Sequence, residues 1–275
     1  NHKLRVVGDD LLYANCERLN TPEGQGARAG IQIFDIGDPA NPKEVGFYDM
    51  PGNGPHRFGV DNERQLAFAP NEAEGWRDRV NWTLDISDPL KPWLLSLWGL
   101  PEQDLSLNLP YEKPEVWERV TTCRGLAVIR GDRMYCGFWG GGMGIADCSD
   151  LSNVKHISHL CWALPFVGMT HTVWPVDEQP YLVVTDEGQG STNYRDSQFM
   201  WIIDIREETN PIPVATFMPD RENFFDRGKR YGAHNILEYK PGHNPWPGII
   251  FLTYFNAGLR AVDVSDPFFP NEVGH

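Results

Sequence analysis

Five basic side chains recur at one place in a long repeat, and they are the residues of this chain best suited to do chemistry. The segments His2-Lys3-Leu4-Arg5-Val6, His56-Arg57-Phe58-Gly59-Val60, Arg124-Gly125-Leu126-Ala127-Val128, His171-Thr172-Val173-Trp174-Pro175 and His234-Asn235-Ile236-Leu237-Glu238 share one register. A single histidine in such a place is ordinarily a core residue bonded to nearby backbone. Four at one repeat position, with only His156, His159, His243 and His275 elsewhere, argue instead for convergence on one point. Grouped neutral imidazoles suit one divalent transition metal (Fe, Cu, Mn or Zn), leaving positions for water or substrate, so His2, His56, His171 and His234 are candidate ligands. Without metal the same residues suit acid–base catalysis, because imidazole titrates near neutrality. Arg124 stands where a fifth histidine would, and its planar, permanently charged fork suits a substrate carboxylate or a developing oxyanion.

A chain reversal after each inner strand brings a second set of residues to the same face: Asn15-Cys16-Glu17, Asn71-Glu72, Phe138-Trp139-Gly140, Asp186-Glu187 and Tyr254-Phe255-Asn256. Glu17, Glu72 and Glu187 are expected at the mouth of the pocket, with Trp139 and Tyr254 as aromatic wall, a set that favours a small organic anion over a bare ion. Cys123, beside Arg124, alternates away from it and reads as packing. Neither Gly140-Gly141-Gly142 nor Gly188-Gln189-Gly190-Ser191 lies between a strand and a helix, so no nucleotide cofactor is expected. With no G-x-S-x-G, a Ser-His-Asp hydrolase has no support.

The elements that must position these residues are announced by a second recurring phrase. It reads Phe34-Asp35-Ile36-Gly37-Asp38-Pro39, Leu84-Asp85-Ile86-Ser87-Asp88-Pro89 and Val262-Asp263-Val264-Ser265-Asp266-Pro267, with weaker copies at Ala146-Asp147-Cys148-Ser149-Asp150 and Ile203-Asp204-Ile205-Arg206-Glu207. The aspartates Asp35, Asp85, Asp147, Asp204 and Asp263 are 50, 62, 57 and 59 residues apart. A β-branched strand that ends in Asp and runs into a Pro turn is a strand-to-strand corner. Strands Leu4–Val7 and Leu11–Asn15 before the first corner and Glu44–Tyr48 after it give four per unit. Five such units predict an all-β, five-bladed β-propeller of four-stranded antiparallel blades around a central channel. A β-sandwich would not return the same corner at this spacing. The blades are expected at 1–52, 53–102, 121–166, 168–219 and 232–275 of a single domain spanning 1–275, with aromatic-bearing insertions at 103–120 and 220–231 that could wall the pocket.

These corners, preceded by aliphatic strands, resemble the LVIVD repeat, a β-propeller family. The resemblance implies the fold and leaves the chemistry open, since propellers host many functions. By analogy of pocket alone, the channel is similar to those of lactonases, lactone-forming isomerases and His-based lyases, and of His-ligated metal oxidases. Three functions are therefore carried forward: hydrolysis, isomerisation or elimination on a small organic acid or lactone; His-ligated metal oxidation; and a non-catalytic scaffold that binds a protein or a cell surface.

Composition sets the outer limits. With 41% apolar residues among 275, ten Trp, 27 Gly and 22 Pro, the chain can bury a large core and must turn often, which excludes a helical bundle or a disordered segment. A net charge of −14 leaves no basic stripe for a phosphate backbone, so nucleic acid is not an expected partner. No apolar run reaches the roughly 18 to 20 residues that cross a bilayer, so membrane insertion is not expected. The expectation is a soluble chain, cytoplasmic or processed and secreted or periplasmic, with homo-oligomerisation left open. Five cysteines, an odd number without a C-x-x-C, favour reduced thiols. The sequon Asn81-Trp82-Thr83 falls in an expected strand.

Overall fold

A computed structural model of the chain describes every residue except 1–2, 19–25, 112–119, 164–165, 167, 188–197, 221–223, 225–226, 228–229 and 239–242. The described strands form five separate antiparallel sheets in sequence order. The chain divides into two compact units, residues 1–111 with 148–155, and residues 112–147 with 156–275.

The first unit holds two four-stranded meanders. One runs β1 (Leu4–Val7), β2 (Leu11–Cys16), β3 (Gly30–Asp35) and β4 (Lys43–Asp49); the other runs β5 (Gly59–Asp61), β6 (Leu66–Glu72), β7 (Arg79–Asp85) and β8 (Trp93–Trp98). Strand alternation sends Tyr13, Ile31, Ile33, Ala67, Val80 and Leu84 into one buried cluster with Phe58. Asn81 and Thr83 are both buried, and the Asn81 amide donates to the Thr83 hydroxyl at 3.2 Å, so this sequon is committed to the sheet interior.

In the second unit β9 (Val128–Arg130), β10 (Arg133–Gly137), β11 (Met143–Asp147) and β12 (Lys155–Leu160) make one sheet. A second contains β13 (Thr170–Pro175), β14 (Tyr181–Asp186), β15 (Met200–Asp204) and β16 (Ile212–Phe217), and a third β17 (Ile249–Thr253), β18 (Leu259–Asp263) and β19 (Asn271–Gly274). This third sheet has three strands among the described residues. Residues 234–237 run beside β17 through an isolated bridge, Ile236 to Leu252, rather than as a full strand. Val173, Leu182, Val184, Met200, Ile202, Ile250, Leu252 and Val262 supply the core, where Trp162 and Trp201 stack with ring centroids 4.2 Å apart.

The repeated corner has a single local cause. The first aspartate accepts a hydrogen bond from the backbone N–H two residues on: Asp35 from Gly37 (2.9 Å), Asp85 from Ser87 (2.8 Å), Asp204 from Arg206 (2.9 Å) and Asp263 from Ser265 (2.8 Å). The acidic residue three positions later repeats the device in all five corners, Asp38 to Ala40, Asp88 to Leu90, Asp150 to Ser152, Glu207 to Thr209 and Asp266 to Phe268. Side-chain turns of this kind, two in succession at the Asp35, Asp85, Asp204 and Asp263 corners, therefore carry the chain from the third strand of a meander to its outer strand, or from β18 to β19 in the last sheet. Replacing Asp85 by Ala removes an acceptor from an otherwise unmatched N–H and is expected to lower the unfolding free energy by about 1 kcal/mol in urea, whereas Asp85→Asn, which keeps an acceptor, should stay near wild type.

Candidate functional site

In the second unit the chemistry gathers at one carboxylate. Glu187 follows the last residue of β14, and its backbone N–H is tied to the Met169 carbonyl at 2.8 Å. Its side chain is buried, accepting the Trp139 indole N–H on Oε2 at 3.1 Å and the Arg230 guanidinium on Oε1 at 2.6 Å. His234 Nε2 stands 3.6 Å from the same Oε1. His171, buried on β13, places its ring 4.3 Å from that of His234, centroid to centroid. One ligand-capable atom from each of His171, Glu187 and His234 falls within 4.8 Å of the other two.

Local structure explains each position. The Thr172 and Thr185 hydroxyls both donate to the His234 carbonyl, at 3.2 and 2.5 Å, pinning the start of that segment to the β13–β14 pair. Having given its one proton to His234, Thr172 accepts from His171 Nδ1, 3.0 Å away, which leaves Nε2 of His171 as the basic nitrogen. Phe255 stacks on the His234 ring, centroids 4.9 Å apart at 19°, and carries the Arg230 guanidinium over its own ring at 4.0 Å. Trp139 sits in the left-handed region, φ 46°, in a turn that Gly141 and Gly142 close with N–H bonds to Phe138 and Trp139; its backbone pairs with Thr170 in both directions. That held turn aims the indole at Glu187. The Arg124 guanidinium lies 4.2 Å over the Trp139 ring.

Asp186, next to Glu187, is fully buried. Burial pushes its carboxyl up to about 8, against hydrogen bonds from Trp201, Thr170 and Trp162 that favour the anion. The Trp201 indole donates to it at 2.5 Å.

The first unit contains a related cluster. Glu17 also follows the last residue of its second strand, and it too meets the histidine that opens the next repeat: His56 Nδ1 lies 2.7 Å from Oε2. Arg79 donates to Oε1 at 3.1 Å, as Arg230 does to Glu187. Asn15, buried, donates to the carbonyls of Pro55 and His56, the counterpart of the two threonines that hold His234. Burial of Glu17 alone would raise its carboxyl, but the hydrogen bonds and charges of His56 and then Arg79 outweigh that and bring it down to about 2.

The expected site residues thus fall into distinct places. His171, His234, Glu187, Trp139 and Arg124 lie together in the second unit, and His56 pairs with Glu17 in the first. Glu72, half-buried, lies against Gly52, where a Cβ would stand 2.1 Å from its Oε2. Tyr254 is fully buried, its hydroxyl donating to the Gln198 carbonyl at 2.5 Å, and the next residue, Phe255, makes the ring contact with His234. His2 lies outside the described residues. Arg79, Arg230 and Thr172 were not anticipated. Arg79 pairs directly with Glu72 across β6 and β7, so strand register would have found it, and Thr172 sits beside a ring histidine; Arg230 belongs to an insertion without repeat phase. A groove of about 540 Å³ lined by Arg130, Pro180, Ile205 and residues 206–209 shares no residue with the His171 cluster.

Five antiparallel sheets, each turned by one type of corner, define an all-β repeat protein with propeller-like neighbours among solved structures. The LVIVD repeat model matches residues 27–50 and 250–275, stretches within the first and last sheets. Among solved structures, a protein from Lactobacillus plantarum is 15% identical, with TM-score 0.65 over 98% of this chain and 69% of its own. The β-propeller domain of Cps50 (Swd1) from Myceliophteria thermophila is 12% identical, with TM-score 0.54 over 96% of this chain and 69% of its own. A Bacteroides fragilis protein provisionally named a 6-phosphogluconolactonase is 9% identical, with TM-score 0.53 over 98% and 82%. No curated protein is similar to the chain in sequence. Among the described residues, no helix is long and apolar enough to cross a membrane.

The Glu17 carboxyl makes a pH prediction with a definite sign. Its folded value of about 2 lies below its ordinary value of 4.5, so its contribution to stability is present above about pH 4.5 and is lost as pH falls toward 2. Glu17→Gln should lower the unfolding free energy at pH 7 by about 2 kcal/mol, allowing for partial solvent screening, and the gap from wild type should close near pH 2. Urea titrations at the two pH values measure it.

Proposed function

We propose that the five sheets are propeller blades and that the chain is a hydrolase that opens a lactone or ester of a small organic anion with the help of one divalent transition metal held by His171, Glu187 and His234. The observation that carries this reading is the convergence of two imidazoles and one carboxylate within 4.8 Å. Two ligands at about 2.1 Å on a tetrahedral centre stand roughly 3.4 Å apart, and His234 Nε2 and Glu187 Oε1 are 3.6 Å apart. Two histidines and a carboxylate with open positions form a set used for metal-assisted hydrolysis, in which the metal polarises a carbonyl and acidifies a bound water.

The chain's own residues supply the rest. Thr172 fixes the tautomer of His171, and Trp139 and Arg230 hold the two Glu187 oxygens and so set the carboxylate plane. Arg124, spread over Trp139, offers its charge to the substrate's anionic group. Two of the fold neighbours carry provisional 6-phosphogluconolactonase names, which makes an anionic sugar lactone a reasonable first substrate to offer.

A metal-free acid–base enzyme is the second reading, favoured by Asn235. Its amide nitrogen lies 3.1 Å from His234 Nδ1 and donates to it, which puts the ring proton on Nε2, facing Glu187. Steady-state kinetics on a panel of anionic lactones, before and after chelation, distinguish the readings. Metal-dependent hydrolysis is expected, with kcat reduced about 100-fold in His171→Ala and KM raised about tenfold in Arg124→Ala. Turnover that survives chelation selects the acid–base reading. No turnover on any lactone or ester under either condition overturns the hydrolase and leaves a binding scaffold.

A further inference from the structure

Behind Arg124 lies a pair of thiols that the proposed reaction does not use. Cys123 and Cys136 are both fully buried, and their sulfurs are 3.3 Å apart. Both sulfurs also face the Gly125 carbonyl, at 3.7 and 3.6 Å. Cys136 belongs to β10, opposite Gly144 of β11, while Cys123 precedes the segment that docks on the end of that strand through two bonds, from the Arg124 and Gly125 N–H groups to the Gly137 carbonyl, each 3.1 Å. The backbone around the two cysteines is therefore already held in place. A disulfide has an S–S separation of about 2.0 Å, so closing the pair brings the two sulfurs together by little more than an ångström.

The surroundings make this corner tight. A Cβ at Gly125 would meet the His171 carbonyl at 2.4 Å and one at Gly137 would meet it at 2.8 Å, so backbone from the neighbouring sheet packs against the thiol pair's own segments. Cys16, Cys148 and Cys161 are the remaining cysteines, of which Cys161 is exposed.

We propose that Cys123 and Cys136 are an oxidisable pair that closes to an intrachain disulfide, clamping the Arg124 segment to β10, and reopens with thiol reductant. A small peroxide is the oxidant suited to so enclosed a place. One cysteine sulfur attacks a peroxide oxygen, the O–O bond breaks, and the products are a sulfenic acid and water. The second sulfur then displaces the hydroxyl, which leaves as a second water, and the S–S bond forms. Two thiols and one hydrogen peroxide thus give one disulfide and two waters. This modification goes beyond the hydrolase reading and does not depend on it.

The test uses the whole chain. Protein reduced and then exposed to hydrogen peroxide is denatured, alkylated and digested, and its peptides are read by mass spectrometry. The expected result is a peptide pair joined between Cys123 and Cys136, two of the five thiols lost to alkylation, and both recovered after dithiothreitol. A Cys161→Ser background, which removes the exposed thiol, should give the same linkage. Full alkylation of Cys123 and Cys136 after peroxide, their conversion to unlinked higher oxides, or a linkage that instead joins either of them to Cys16, Cys148 or Cys161 would overturn the proposal. Because the readout is the covalent bond in wild-type protein, neither loss of catalysis nor misfolding of a variant can imitate either result.

Discussion

A buried carboxylate has to be compensated, and the compensation of Glu187 organises the second unit's candidate site. Left without partners in a low-dielectric setting, the anion would be costly by several kcal/mol. Instead it draws an indole N–H from the turn after β10, a guanidinium from the segment before the third sheet and, four residues on, the imidazole that opens the stretch beside β17. Two stretches far apart in sequence, the turn at Trp139 and the segment from Arg230 to His234, are thereby fixed to one side chain that stands just past the end of β14. Trp139 accepts a left-handed backbone to reach it, and Phe255 packs beneath both Arg230 and His234, so the charged groups are held by packing as well as by charge.

The first unit uses the same logic with a different outcome. Glu17 and Glu187 occupy equivalent places one residue past a second strand, and each meets the histidine that opens the following repeat and an arginine. Glu17, however, takes a short, direct bond from His56, and the cluster contains one imidazole among the described residues. Such a pair orients a proton carrier or stabilises a loop. In the second unit, the additional imidazole of His171 turns the arrangement into a set with metal-ligand spacing. Repetition has supplied one scaffold, and a single extra side chain changes what it can hold.

How far sequence alone could go follows from which interactions are local. The corners were legible because their cause spans four residues: an acid accepts from an N–H two positions on, and a Pro often follows. His171, His234 and Glu187 were legible because each has a repeat address. Their detailed roles were not, because the histidines stand at different distances from strand starts. His171 lies within β13, whereas His56 precedes β5 by three residues and Arg124 precedes β9 by four. Tyr254 shows the same limit. The single helical turn Phe255–Ala257 after β17, with Phe255 at φ 36°, brings Phe255 to His234 and leaves Tyr254 in the core. Arg230 comes from an insertion, where no repeat phase exists to place it.

Whether His171, Glu187 and His234 act together as one ligand set is read directly by calorimetric titration of zinc or manganese into chelator-treated protein. One ion per chain is expected, with affinity falling at least about tenfold in each of His171→Ala, Glu187→Gln and His234→Ala. Binding of neither ion by wild-type protein, or affinity unchanged by all three substitutions, would contradict it.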